Sequence, residues 1–183
     1  MKKTYLAISF TLALIFLLAA CGAPQDSGTG SDAGFPPLAS FTAQTIDGGE
    51  FTERDFAQAD VTMINIWSTT CSPCIREMPE LAELEQSLPD NVRLITYCID
   101  GADNYETASG ILADAGFTGI TLISGDGDLE KLYYSLEYTP TTLFVDDSGN
   151  MIGEVLIGAA ADAVSYYTEG IDKALSALGK DEI

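Results

Sequence analysis

The segment Trp67-Ser68-Thr69-Thr70-Cys71-Ser72-Pro73-Cys74 sets two cysteines three apart where the apolar run Val61 to Trp67 gives way to a helical periodicity. A buried strand feeding straight into an amphipathic helix, with a cysteine at the junction, restricts the fold more than any other stretch. On the first turn of that helix the two sulfurs share a face and can join as a disulfide or part as thiols. The free N–H groups and the dipole at a helix N-terminus favour an anion, which lowers the pKa of Cys71 and raises its thiolate fraction. The thiolate is the species that attacks a disulfide, so a reactive pair is expected.

Half of a zinc site and an inert structural disulfide are the other readings of such a pair. A structural zinc takes four Cys or His ligands. The chain has no histidine and four cysteines, one of them in the N-terminal segment, so a second ligand pair is missing and neither a metal nor a cofactor is expected. Without histidine there is no Ser-His-Asp or Cys-His catalysis, which leaves the pair's own thiolate and nearby carboxylates.

The N-terminus reads Lys2-Lys3, an apolar stretch from Leu6 to Ala20, then Leu18-Ala19-Ala20-Cys21 before Gly22. A charged start, a short apolar core and small residues describe a secretory signal. The ending resembles the bacterial lipoprotein signal, which implies acylation of the Cys21 thiol. An uncleaved membrane anchor is the alternative, although the apolar run falls short of the ~20 residues a spanning helix needs. Residues 1–20 are therefore read as signal peptide and residues 21–37, rich in Gly, Ser, Asp, Ala and Pro, as a lipidated flexible tether. Residues 38–183 form one domain without internal repeats. The folded part is placed outside the cytoplasm, lipid-anchored to the bacterial cell membrane.

The formal charge of −20 makes nucleic acid and bare anionic membrane surfaces poor partners. An acidic surface can select cationic clients, but a solvated, soluble surface explains it equally well.

Along the domain, Phe41–Thr45 and Glu50–Thr52 flank Ile46-Asp47-Gly48-Gly49 and predict a hairpin. Val61–Trp67 and Val92–Ile99 read as buried strands. Ser72 to about Leu88 reads as a helix with apolar Ile75, Met78, Leu81, Leu84 and Leu88, kinked by Pro79. Further helices are expected at Asn104–Ala115, Asp128–Leu136 with an Asp at its start, and Asp162–Leu178, and strands at Ile120–Ile123, Thr141–Val145 and Met151–Ile157. Alternating strands and helices that end in a hairpin predict an α/β fold, a central mixed β-sheet flanked by helices.

Trp67 to Leu81 (Trp-Ser-Thr-Thr-Cys-Ser-Pro-Cys-Ile-Arg-Glu-Met-Pro-Glu-Leu), together with Tyr-Thr-Pro-Thr-Thr-Leu-Phe-Val-Asp at 138–146, resembles the membrane-tethered thioredoxin-like thiol-disulfide oxidoreductases of the TlpA/ResA type. The likeness spans roughly Leu38 to Leu178. It implies a thioredoxin-like fold with an extra N-terminal β-hairpin and an insertion after the second central strand, which Asp100–Gly119 fits. It further implies that Cys71 attacks and Cys74 resolves, and that Pro140 follows a cis peptide bond after Thr139, whose backbone pairs with an extended client segment. An ordinary trans turn proline is the alternative.

Glu77 stands three residues after Cys74, on the same helix face. The resemblance implies that it takes the proton from Cys74, and a surface acid is the alternative reading. Asn65 occupies the position where thioredoxin itself has a buried aspartate, which leaves Glu77 as the candidate for proton transfer. Trp67 is expected beside the disulfide, either offering client-facing surface or as a plain core residue. Cys98 reads as a small buried hydrophobe, and Tyr133, Tyr134, Tyr138, Tyr166 and Tyr167 as packing residues.

These readings converge on a monomeric extracytoplasmic disulfide reductase that acts through a mixed disulfide. The resemblance implies a membrane-embedded thiol electron donor and clients such as apocytochrome c or methionine sulfoxide reductase. A disulfide oxidase or isomerase on the same fold, and a tethered binding module with a static disulfide, are the rivals.

Overall fold

The computed structural model describes residues 34–183; the expected signal peptide, Cys21 and most of the tether lie outside the described residues. Two parallel strands form the centre, β3 (Val61–Trp67) and β4 (Val92–Cys98), in register from Val61 opposite Val92 to Trp67 opposite Cys98. Every residue of β3 is buried, as a β-branched run covered on both faces requires. Its side chains divide by the two-residue period of a strand. Met63 and Trp67 enter one core, Ile64 and Ile66 the other.

The N-terminal hairpin is β1 (Thr42–Thr45) with β2 (Glu50–Thr52), followed by β5 (Thr121–Gly125), β6 (Thr141–Val145) and β7 (Met151–Ile157). All seven strands join one mixed sheet in the order β2-β1-β5-β4-β3-β6-β7. The cysteine-bearing helix α1 (Ser72–Ser87), α2 (Tyr105–Ala115) and the last helix α4 (Ala163–Ala177) cover one face. The other face is covered by α3 (Gly127–Ser135) and a short 3-10 helix, Glu53–Gln58. This is the thioredoxin-like arrangement, and Asp100–Gly119 carries α2 and returns the chain to β5 parallel to β4.

Pro79 lies inside α1, which runs on to Ser87 as the periodicity predicts. Two local features differ from expectation. The 3-10 helix has no helical periodicity in sequence; the Asp55 carboxylate accepts from the Thr52 N–H at 2.8 Å, and Phe56 packs against Phe41 and Phe51. At α3 the acids do not cap their own helix. Asp126 accepts from the Thr42 N–H at 2.8 Å, and Asp128 from the N–H groups of Ala39 and Ser40 at 3.1 and 2.8 Å, so both tie the start of the domain to the sheet.

A similar tie forms at the Asp146–Gly149 turn, where the Leu38 N–H donates to the Gly149 carbonyl at 2.9 Å and Leu38 is fully buried. Gly149 has φ +79°, and a Cβ there would stand 2.3 Å from the Leu38 carbonyl oxygen, so only glycine fits. No helix among the described residues is long and apolar enough to cross a membrane.

Candidate active site

Strand β3 delivers its C-terminal end to the first turn of α1, where Cys71 is the N-cap and Cys74 sits inside the helix. The two form a disulfide with their Cα atoms 5.3 Å apart. The Cys74 N–H donates to the Cys71 sulfur at 3.3 Å, the interaction that would hold a thiolate at that position. The pair is asymmetric: Cys71 is 9 % exposed and Cys74 is wholly covered, so an incoming group reaches Cys71 alone.

The Thr139–Pro140 peptide bond is cis, as the resemblance implies. It brings the Thr139 carbonyl oxygen to 3.5 Å from the Cys71 sulfur. Two bonds hold this turn, from the Gly158 N–H to the Pro140 carbonyl at 2.8 Å and from the Thr141 hydroxyl to the Tyr138 carbonyl at 2.8 Å. Cys71, Cys74, Thr139 and Pro140, separate in sequence, are thus gathered at one end of the sheet.

Glu77 is buried, so the surface reading is set aside. Its Oε1 accepts from the Tyr167 hydroxyl at 3.1 Å and the Asn65 amide at 3.3 Å, while Oε2 is buried without a partner. The Asn65 amide also lies 3.1 Å from the Thr142 hydroxyl, which makes a polar island beneath the cysteines from β3, α1, β6 and α4. Burial pushes the Glu77 pKa up to about 7; the bonds from Tyr167 and Asn65 pull against this, and the charge of Glu80 adds to it. A carboxyl that titrates there exchanges protons readily at neutral pH. Glu77 also contributes to the lining of a cleft of about 460 Å³ with Pro73, Arg76, Glu80 and Ala159–Ala161.

Trp67 does not offer client-facing surface. It is fully buried in the core that contains Cys71 and Cys74, because β3 turns it inward under α1. Cys98 is a buried free thiol, as its apolar strand predicts, with its sulfur 3.3 Å from an Asp100 oxygen. Asp100 anchors the loop before the cysteines, accepting from the Thr69 N–H at 2.9 Å and its hydroxyl at 2.6 Å. Tyr167 packs in the core as expected, but Tyr133, Tyr134 and Tyr138 are 41 %, 76 % and 62 % exposed and lie outside the core.

Tyr167 and Asp100 are the residues the sequence does not point to. Tyr167 lies 90 residues from Glu77 with no pattern linking them, and Asp100 is one acid among 28 Asp and Glu. Among the described residues no group of three or more His, Cys, Asp or Glu side chains is placed to hold a metal ion.

A model of the AhpC/TSA family matches residues 36–153. The thiol:disulfide interchange protein HelX of Rhodobacter capsulatus is 26 % identical over 126 residues, 69 % of this chain and 67 % of that protein. The thioredoxin-like protein YneN of Bacillus subtilis is 25 % identical over 118 residues, 64 % and 68 % of the respective chains. Among solved structures, a thioredoxin-family thiol:disulfide interchange protein from Chlorobium tepidum superposes with a TM-score of 0.60 at 19 % identity, over 77 % of this chain and 99 % of that one.

Proposed function

The chain belongs to the AhpC/TSA family and is a thiol-disulfide oxidoreductase built on Cys71 and Cys74; from that premise we propose that it reduces disulfides in client proteins outside the cytoplasm. The Cys71 thiolate attacks a client disulfide, forming a mixed disulfide and releasing one client thiolate. Cys74, giving its proton to the Glu77 carboxylate, then attacks the Cys71 sulfur and displaces the second client sulfur as a thiolate, which takes up a proton from solvent. Two electrons have passed to the client, and the Cys71–Cys74 disulfide remains. A membrane-embedded thiol donor restores the dithiol, and acylation of Cys21 keeps the monomeric domain beside it. Apocytochrome c, methionine sulfoxide reductase and misoxidised proteins in general are the candidate clients.

The observation that carries this reading is the asymmetry of the pair. The accessible Cys71 faces the Thr139 carbonyl, where a client backbone can align, and the covered Cys74 has a carboxyl one turn along its helix. A static staple needs neither feature. An oxidase or isomerase would share both and is separated by redox potential.

The test is the potential of the Cys71–Cys74 couple in glutathione or dithiothreitol buffers, with insulin reduction alongside. A value near about −270 mV with turnover supports the reductase, and one near about −120 mV reverses the direction. No exchange with either buffer leaves the binding module. Cys71→Ser should abolish turnover, and Cys74→Ser should accumulate mixed disulfides with clients.

A further inference from the structure

A second cleft, of about 210 Å³, opens beside the cysteine site between the C-terminal end of β4 and the exposed side of α3. Ile99 and Ile123 line it with the three rings of Tyr97, Tyr133 and Tyr134 and with Glu130. We propose that this cleft seats a cationic side chain, lysine or arginine, of the client segment whose disulfide meets Cys71. The inference rests on the reading above that the partner is a polypeptide.

The position suits that use. The Ile99 N–H donates to the Trp67 carbonyl at 2.9 Å, and the adjacent Asp100 holds Thr69, so the cleft is built onto the loop that leads to Cys71. On its other side, Tyr134 stands four residues from Tyr138, which precedes Thr139 in the turn facing the sulfur. In the proposed complex, the segment aligned at Thr139 runs on towards this cleft, at about 3.3 Å per extended residue.

The chemistry is selective. Tyr133 and Tyr134 pack edge to face with centroids 5.2 Å apart, and Tyr134 is largely exposed although it belongs to α3. Ring faces carry negative potential and attract ammonium and guanidinium groups. Burial pushes the Tyr97 hydroxyl up to about 12, so that wall stays a neutral phenol. Glu130 takes part in none of the ion pairs among the described residues, and its neighbour Lys131 is committed to Asp128 at 2.8 Å. No Lys or Arg lines the cleft. Isoleucines beneath aromatic walls suit the methylene stem of a long cation whose charge the Glu130 carboxylate attracts, while an acidic side chain would be repelled.

The experiment compares two disulfide peptides that differ only by lysine or methionine at positions two to five residues from the cysteine, reduced by the full chain. A preference for lysine of at least about fivefold in kcat/KM is expected at one of these positions. Tyr134→Ala, which leaves net charge untouched, should bring the ratio to within about twofold, and Tyr134→Phe should retain it. A preference that survives Tyr134→Ala belongs to the overall negative charge and overturns the proposal, as does the absence of any preference. If neither peptide is reduced, the reductase reading fails, and the cleft is read separately by titrating a cysteine-free lysine peptide onto the oxidised protein. Ring NMR shifts at Tyr97, Tyr133 and Tyr134 then support the seat, and their absence overturns it.

Discussion

The Tyr167 hydroxyl donates to Glu77 Oε1 at 3.1 Å, joining the last helix to the helix that carries the cysteines. The bond bears on proton transfer because a neutral phenol stabilises the carboxylate more than the protonated acid. Tyr167 itself stays protonated, since burial and the nearby Glu77 push its pKa upward.

Tyr167→Phe should therefore raise the Glu77 pKa above its value of about 7, by about one unit for the loss of one bond to a charged group. Carbon-13 NMR of the Glu77 carboxyl reads this directly, and the pH profile of thiol exchange should move upward with it. An unchanged titration in the variant would remove Tyr167 from any part in tuning this group.

The same carboxyl predicts a pH-dependent stability. Folded Glu77 titrates near about 7 against 4.5 for the free group, so between these values the native state holds a proton that the unfolded chain has released. Stability must then fall as pH rises through that window and level off above it. Glu77→Gln cannot titrate, so urea unfolding should show its advantage over the parent growing from pH 5 to pH 8, towards a limit on the order of 3 kcal/mol.

Cys98 is fully buried, and its thiol pKa is pushed far up by burial and then by the Asp100 carboxylate. After reduction of the disulfide, iodoacetamide should label Cys71 rapidly in the folded protein and Cys98 only on unfolding, as read by peptide mapping. Rapid labelling of Cys98 in the native state would place it among the redox-active thiols.

Gly149→Ala forces a left-handed backbone on a residue with a side chain and sets its Cβ 2.3 Å from the Leu38 carbonyl. A loss of about 1–3 kcal/mol is expected from the strained backbone, with further loss from the displaced Leu38. Thermal unfolding at fixed pH measures it, and the disulfide exchange rate should change little because the turn lies away from the cysteines.

Local chemistry was readable in the chain. The strand Val61–Trp67, the helix beginning at Ser72 and the helix end before Gly116 follow from side-chain period, branching and a C-cap glycine, which act over a few residues. The cysteine pair was equally plain, because its spacing and its place at a helix start are local properties. The 3-10 helix at Glu53–Gln58 and the ties of Asp126 to β1 and of Asp128 to Ala39 and Ser40 were not, since each is decided by a partner segment and not by its own residues.

What the sequence determined by itself is the sheet with its flanking helices and the thiol pair at the end of β3. Tertiary structure alone decided that Trp67 is enclosed, that Tyr133, Tyr134 and Tyr138 face solvent, and that Glu77 is buried against Asn65 and Tyr167. Burial and hydrogen bonding arise where distant segments meet, and no local pattern encodes which face of a tyrosine or glutamate the rest of the chain will cover.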